Sequence, residues 1–517
     1  MSTSDGRKRK AGKALPSQRP FIYEIELKFA VPENSRDALE KALKRGKVQR
    51  TRMQAIYFDT ADERLATSGV SLRLRKEGRV WVQTLKVGRD PFRRLEHHVS
   101  VRPLPGIEPP ALDLGRHNAS PAGAGLRKAL DQPSDTGSSP ELSVRFRTRV
   151  SRLARTIRVP GAQVEIALDT GTIIAGDRSW PICELELELK AGRAAALVSL
   201  AAQWASRYGL WVSTISKVER GMRLARGDGE APQVRAESPI VDEEQGQTAF
   251  FVATIESCLA HVLGNASEVA AGEKDVPVVH QLRIGLRRLR TALREMGVLV
   301  DGIDPAWDTA LRRTFQQLGE HRDMTIVVPT ARQVLNALGA PPFGEPKALH
   351  GAPLPETLVR EPIFQRTLLD ILAFMYDQKT KAHGVHEIRK DARPLISERL
   401  DDLRQRIAKD AKRFATLDLE RQHRVRKRLK RLRYLSEFAA SLFGTKEVTR
   451  YLAAWRKAQD ALGEYNDQQT AAQVFRQETL SQPHAWFAVG WLKGRQGASV
   501  KRCERALRKA AKTPAFW

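Results

Sequence analysis

Acidic and basic side chains alternate with apolar ones along several short segments of the N-terminal half. Glu24, Glu26 and Lys28 interleave with Ile25 and Leu27, Arg73 and Arg75 with Leu72 and Leu74, and Glu184, Glu186 and Glu188 with Leu185, Leu187 and Leu189. The same pattern takes in Lys86, Arg94 with Glu96 and His98, the trio Arg145, Arg147 and Arg149, Glu165 with Asp169, and the late pair Lys217 and Arg220. Guanidinium forks and ammonium groups suit phosphate oxygens. Carboxylates do not, but among such cations they suit a hard divalent ion, Mg2+ or Mn2+, that bridges to phosphate. No Ser, Cys or His stands placed as a nucleophile. The economical chemistry is metal-assisted, in-line attack by water on the terminal phosphoryl group of a triphosphate.

Period-two alternation belongs to strands, where residues i and i+2 share a face. For one strand, an ordinary solvated outer face explains the charges. Over seven or eight strands that explanation weakens, because acids gather on the first strand and on two late ones while Arg and Lys dominate between them. Closing the sheet into a barrel turns the charged face into an interior lined by cations around one carboxylate cluster. The segments run from about residue 23 to 226, broken by a Pro-, Gly-, Ser- and Ala-rich stretch over about 103–140 that is expected to be a surface loop.

In this order, EIELK at 24–28, YFDT at 57–60, LRLR at 72–75, the Lys86 strand, ALDTG at 167–171, ELELELKAG at 184–192 and SKVERG at 216–221 resemble a CYTH domain, of the triphosphate tunnel metalloenzymes. The resemblance covers about residues 20–226 and implies an eight-stranded antiparallel β-tunnel that hydrolyses or cyclises triphosphates with a divalent metal. It makes Glu24, Glu26, Glu186, Glu188, Glu184 and Asp169 the candidate metal ligands, with the choice of two among Glu184, Glu186 and Glu188 open. It makes Lys28, Arg73, Arg75, Lys86, Arg94, Arg147, Lys217 and Arg220 the phosphate contacts, with Arg145 and Arg149 as substitutes for Arg147. Catalytic roles fall to Glu24, Glu26, Lys28, Lys86 and Lys217. One departure is His98, where many relatives carry a further acid.

From about residue 247 the pattern changes to long segments of helical period that repeat. HQLRIGLRRLR at His280 aligns with HRVRKRLKRLR at His423, and LGEHRD at Leu318 with LGEYND at Leu462. His280, Arg283, Arg287, Arg290 and Arg294 share a quadrant at about 100° per residue, as do His423, Arg426, Lys430 and Arg433, each beside an apolar Leu or Val stripe. One such row is an ordinary solvated face; two, with His in the same place, suggest a ligand surface. Residues 421–434 hold eight Lys or Arg and no acid, which disfavours a helix unless an anion neutralises it. These features resemble the CHAD domain, a tandem pair of four-helix modules. That resemblance implies binding of inorganic polyphosphate through the His, Arg and Lys rows, Arg288 and Arg431 included, with Lys427 and Arg428 assisting from another direction.

Composition agrees. The 517 residues carry 87 Lys and Arg against 60 Asp and Glu, a formal charge of +27 that draws polyanions. The expected fold class is α+β multidomain: a basic tail over 1–19, the β-tunnel over 20–226, a linker over 227–246, and an all-α domain over 247–511 with a Pro/Gly-rich insertion at about 339–362. Cys183, Cys258 and Cys503 are scattered, no uncharged apolar run approaches the ~20 residues that span a bilayer, and the N-terminus lacks an apolar leader core. The expectation is a cytoplasmic protein, associated with polyphosphate granules and not with membrane. Aromatics make up 6%, and the basic helices lack the interleaved rings on which bases stack, so no specific nucleic acid is expected. Inorganic triphosphate is the favoured substrate. Thiamine triphosphate and ATP in a class IV cyclase-type reaction stay open, as does a non-catalytic polyphosphate scaffold, which the full carboxylate set disfavours because a pure anion binder has no use for acids facing its ligand.

Overall fold

The computed structural model describes residues 22–88, 93–104, 108–131, 141–227, 231–239, 241, 246–342, 344, 353–382 and 390–517. The basic tail over 1–19 lies outside the described residues, as do parts of the 227–246 linker and of the 339–362 insertion. Strands β1 (Ile22–Ala30), β2 (Gln49–Asp59), β3 (Val70–Glu77), β4 (Val80–Val87), β5 (Arg93–Val101), β6 (Ser143–Val159), β7 (Ala162–Ala175) and β8 (Arg178–Gly192) pair antiparallel in the order β5-β4-β3-β2-β6-β7-β8-β1. A β1–β5 pairing closes them into an eight-stranded barrel, and the short β9 (Trp211–Val212) adds to β1. Closure rests on β1, whose first residues, Ile22 to Ile25, face β5 while Glu26 to Ala30 face β8.

The barrel carries much of its apolar core on the outside. Leu27 lies opposite Leu187, and Phe29 opposite Leu185. These residues, with Val164, Ile166 and Leu168, pack outward against α4 (Ala194–Tyr208) and into the helical half, in one continuous buried cluster. The remaining N-terminal helices are α1 (Arg36–Leu43), α2 (Arg64–Thr67), α3 (Pro121–Leu130) and α5 (Lys217–Arg226). Helix α5 plugs one mouth of the barrel: Met222 joins Phe146, Val150, Met53, Tyr57 and Ile173 in a second cluster, and Gly221 sits so close that a Cβ there would lie 2.4 Å from the Phe146 ring.

The 103–140 stretch is not all loop. Helix α3 buries Ala122, Leu126 and Ala129 against Leu72 and Leu85 of the barrel. Gly123 and Gly125 hid the helix from a propensity reading, but Ser120 caps it, accepting from the Gly123 amide at 3.0 Å, and Pro121 starts it. Ser120→Ala is expected to lower stability by about 1–2 kcal/mol, measured by denaturant unfolding of the full chain.

The helical half comprises α6 (Gln247–Ala270), α7 (Val276–Glu295), α8 (Pro305–Arg322), α9 (Val328–Ala337), α10 (Pro355–Arg360), α11 (Pro362–Ala382), α12 (Arg393–Ala411), α13 (Leu419–Phe438), α14 (Ala440–Phe443), α15 (Thr445–Glu478) and α16 (Ala485–Ala510). Helix α10 falls within the expected insertion and buries Leu358 and Val359 completely. By length and composition α6 could cross a membrane, but 72% of its most apolar window is buried inside the fold. The described part of the linker is strapped down, not free: Val234 exchanges hydrogen bonds with the Asn265 side chain, and the Glu237 carbonyl accepts from Ser257 and Arg288.

Candidate functional site

Strand register decides which charges meet. Glu26 lies directly opposite Glu188, Lys28 opposite Glu186, Glu165 opposite Glu188, and Asp169 opposite Glu184, all facing the barrel interior. Glu24 lies opposite Arg94, and Lys86 opposite Glu96. The interior is a cavity of about 920 Å³ lined by Glu24, Glu26, Lys28, Arg73, Arg75, Lys86, Arg94, Asp169, Glu184, Glu186, Glu188 and Lys217.

The acids form two groups of different character. Asp169, Glu184 and Glu186 converge with carboxylate oxygens within 4.8 Å of one another, yet protein cations already neutralise them. The Lys217 ammonium donates to Asp169 and Glu186 at 2.9 Å each and touches Glu184; Arg152 grips Asp169 at 2.7 and 2.8 Å and also reaches Glu186; Arg220 pairs with Glu184. Burial opposes ionisation of Glu184, but Lys217, Arg220 and Lys28 bring its carboxyl down to about 2. Glu24, Glu26, Glu165 and Glu188 are served more thinly, by Lys86 at 3.4 Å from Glu24 and by Lys190 at 2.6 Å from Glu188. Burial and the charges of Glu186 and Glu24 raise Glu26 against the pull of Lys86 and Lys28. Burial, with Glu24 and Glu165, pushes Glu188 up to about 7. Like charges placed directly opposite on a sheet repel. Among the described residues, this second group therefore holds four carboxylates against Lys86 and Lys190 alone, and its hard oxygen donors, with no sulfur or imidazole among them, fit Mg2+ or Mn2+.

Arg73 and Arg75 project beside it, Arg73 held by the Tyr57 hydroxyl at 3.1 Å. Burial and neighbouring Arg73 bring Arg75 down to about 10, although it pairs with Glu77. Lys28 is partly buried, donates to the Ile215 carbonyl, and is held down to about 8 by burial. His98 accompanies Glu96 at 3.0 Å.

The trio on β6 is a correction. Arg147 and Arg149 are exposed on the outer wall, and Arg145 lies 3.8 Å from Glu63; none lines the cavity. The inward residues of β6 are Thr148, Val150, Arg152 and Ala154, so Arg152 takes the interior position that reasoning from sequence gave to the trio. Its signal was available: Arg152 is the cation of opposite parity in SVRFRTRVSRL and lies opposite Asp169.

In the helical half, α7 and α13 carry the two repeat copies and pack against each other. Their rows converge on a second cationic centre. Burial lowers Lys430 to about 7, reinforced by Arg287, Arg426, Arg433 and Arg322, and lowers Arg283 and Arg426 to about 10, reinforced in each case by Arg287 and Arg322. Burial and the nearby cations also lower exposed His280 and His423. Among the described residues, no carboxylate lies within ion-pair distance of Arg283, Arg287, Arg426 or Lys430. Lys427 is exposed on the same helix.

Other members of the rows have structural work. Arg288 is 3% exposed, paired with Glu437 and stacked 4.8 Å from the Phe438 ring, so it belongs to the core and not to the ligand surface. Arg431 pairs with buried Glu295, Arg433 with Glu437 at 2.6 Å, and Arg290 and Arg294 share Asp308 at 2.8 and 3.3 Å. The sequence reading missed Arg322, which bridges the repeats by donating to Asp467 at 3.1 and 3.2 Å and to Asp323 at 3.4 Å. It stands in the LGEHRD motif, between the His and the Asp.

Comparison with known proteins follows the same division. Residues 23–222 match the CYTH domain and residues 253–476 the CHAD domain. An inorganic triphosphatase of Haemophilus influenzae is 29% identical over 207 residues, covering 40% of this chain and 55% of that protein, so the match spans about half of that relative's length. The crystal structure of the CHAD domain from the plant Ricinus communis is 25% identical, with a TM-score of 0.44, over 54% of this chain and 97% of that one. A Hippeastrum protein, an adenylyl cyclase candidate described as having a dominant triphosphatase activity, is 17% identical with a TM-score of 0.29, over 40% of this chain and 98% of that one.

Proposed function

This chain joins a CYTH domain to a CHAD domain, and from that premise we propose that it hydrolyses inorganic triphosphate to pyrophosphate and phosphate in the barrel and binds inorganic polyphosphate on the helices. The observation that carries the first half is the split among the interior acids: one group neutralised by Lys217, Arg152 and Arg220, the other short of positive charge and facing Arg73, Arg75, Lys86 and Arg94. Glu24, Glu26 and Glu188 would hold Mg2+ or Mn2+. Such an ion, when bound, withdraws charge from phosphoryl oxygens and lowers the pKa of water beside it. Arg73, Arg75, Lys86 and Arg94 hold the phosphate chain, Lys28 and Lys217 take the oxygens nearest the neutralised acids, and a carboxylate of the Glu24–Glu26 pair orients the attacking water.

An inorganic substrate is favoured because Tyr57, the one phenyl-type ring in the described lining, is already stacked on Phe146 at 4.3 Å and is not offered to a base or thiamine ring. Phosphate release from triphosphate, ATP, thiamine triphosphate and long polyphosphate, with Mg2+, with Mn2+ and with chelator, tests the reading. Release that survives chelation would overturn it.

For the helices, His280, Arg283, Arg287, Arg322, His423, Arg426, Lys427 and Lys430 form the polyphosphate surface. A bound polyanion offsets the repulsion that Arg287, Arg426, Arg433 and Arg322 impose on Lys430, so binding takes up protons. Lys430 is charged below about 7 in the unbound protein. The Lys430 contribution is therefore expected to be full below that value and affinity to fall several-fold between pH 6.5 and 8.5 at fixed ionic strength, with His280 and His423, both lowered from the usual imidazole value, adding a further rise at more acid pH. Titration calorimetry across that range checks it, and a flat profile would count against this centre. Cytoplasmic residence near polyphosphate granules belongs to the same proposal and accords with three free cysteines.

A further inference from the structure

The segment from β9 into α5 is part of the tunnel wall. Ser213, Thr214, Ser216, Lys217 and Val218 line the cavity, Ile215 accepts from Lys28, and the Ser213 amide donates to the Lys28 carbonyl at 2.8 Å. Two interior lysines thus depend on where this strap lies: Lys217 sits on it, and Lys28 is tied to its backbone.

What fixes the strap comes from the helical half. Ser267, near the end of α6 and 2% exposed, accepts from the Thr214 amide at 3.0 Å and contacts the Thr214 hydroxyl at 3.2 Å, while its own hydroxyl reaches the Val212 carbonyl at 3.3 Å. Gln365 of α11, 3% exposed, accepts from the Val212 amide at 2.9 Å and donates to the Val359 carbonyl at 2.6 Å. Glu268 holds Arg223 of α5 in a buried two-pronged pair, and Arg360 of α10 stacks on Trp211 at 4.4 Å while donating to the Ala270 carbonyl. Ser267 and Gln365 are both buried and bond the backbone of Val212 and Thr214, so they set position and not merely proximity.

We propose that Ser267 and Gln365, on the helical domain, are positioning residues for the triphosphatase site: they hold the strap so that Lys217 and Lys28 meet the interior carboxylates and the phosphate chain. The inference rests on the proposed triphosphatase reading and extends it. The helical half completes the tunnel wall instead of serving only as a tether, and the helix that anchors the strap, α6, runs through a short turn into α7 and its cationic row.

The test uses the full chain. Ser267→Ala and Gln365→Leu are expected to lower kcat for metal-dependent triphosphate hydrolysis about tenfold, with the metal requirement kept and with faster hydrogen exchange confined to residues 211–217. Ser267→Thr, which restores a hydroxyl, should recover part of the loss. Ser499→Ala is the matched control, since Ser499 is also buried and bonds only Gln468, at 2.8 Å, between α15 and α16. It should leave kcat and KM within twofold of the parent. If Ser267→Ala and Gln365→Leu instead track Ser499→Ala in kcat, KM and exchange, the inference is overturned. If the parent chain hydrolyses no triphosphate, the proposed function falls by itself, and exchange then decides the anchoring: raised rates confined to 211–217 uphold it, and unchanged rates overturn it.

Discussion

Glu26→Gln is expected to reduce metal-dependent phosphate release about 10³-fold, a loss of roughly 4 kcal/mol of transition-state stabilisation, and at the same time to make the metal-free protein more stable. The two effects have opposite signs because Glu26 stands opposite Glu188, near Glu24 and Glu186, with too little positive charge to serve them all. A buried carboxylate whose pKa is raised on folding opposes folding increasingly as pH rises above its unfolded pKa, and fully above its folded pKa. Gln removes that penalty while keeping the side chain's shape. Glu184→Gln should behave the other way in chelator. Its carboxylate is held low by Lys217 and Arg220, and breaking a buried pair leaves a cation uncompensated at a cost of about 3 kcal/mol. Thermal melts with chelator and with saturating Mg2+ separate the cases. If Glu26→Gln destabilises the metal-free protein as Glu184→Gln does, Glu26 is a structural partner and not a ligand.

The same charge logic explains which parts of the tunnel could be read from sequence. On β1, β3 and β8 the alternating charges face inward, because the apolar residues between them, Leu27, Leu72 and Leu185 among others, are claimed from outside by α3, α4 and the helical half. On β6 the alternation is as clean but its sense is reversed. There α5 closes the barrel with Met222, and the inward positions must be apolar, Phe146 and Val150, so the arginines point outward. Alternation gives two faces and says nothing about which is inside. That choice was made by a helix some 70 residues further along the chain, and only the position of Arg152 against Asp169 hinted at it.

In the helical half the repeat was legible but not the division of labour within it. His280 and His423, Arg283 and Arg426, Arg287 and Lys430 are equivalent by register, and all lie around one centre. Arg288 and Arg431 are also equivalent but are engaged within the fold: each finds a carboxylate from another helix, Glu437 and Glu295 respectively. Those acids are 149 and 136 positions away, so no helical wheel could show them. Arg322 escaped for the complementary reason. Its row was read for its acids, and the arginine that ties one repeat's motif to Asp467 of the other has Asn466 at the matching place in the second copy.

That division leads to the second large expected effect. Arg283→Ala with Arg426→Ala should weaken polyphosphate binding about 30–100-fold at 0.15 M salt and lower the slope of log affinity against log salt by about 1.5–2, since each removed phosphate contact releases close to one counterion fewer. Both guanidiniums are pushed down to about 10 by burial and by Arg287 and Arg322, so removing them relieves repulsion, and the unbound protein should be no less stable. Arg288→Ala is the counter-case. It strips a buried partner from Glu437 and the packing on Phe438, and is expected to cost about 2–3 kcal/mol of stability with the salt slope unchanged. A double-stranded DNA competitor at the same ionic strength separates ligand classes. Because α7 and α13 offer cations without stacking rings, DNA should be displaced by polyphosphate of equal charge, and displacement in the other direction would reassign this centre to nucleic acid.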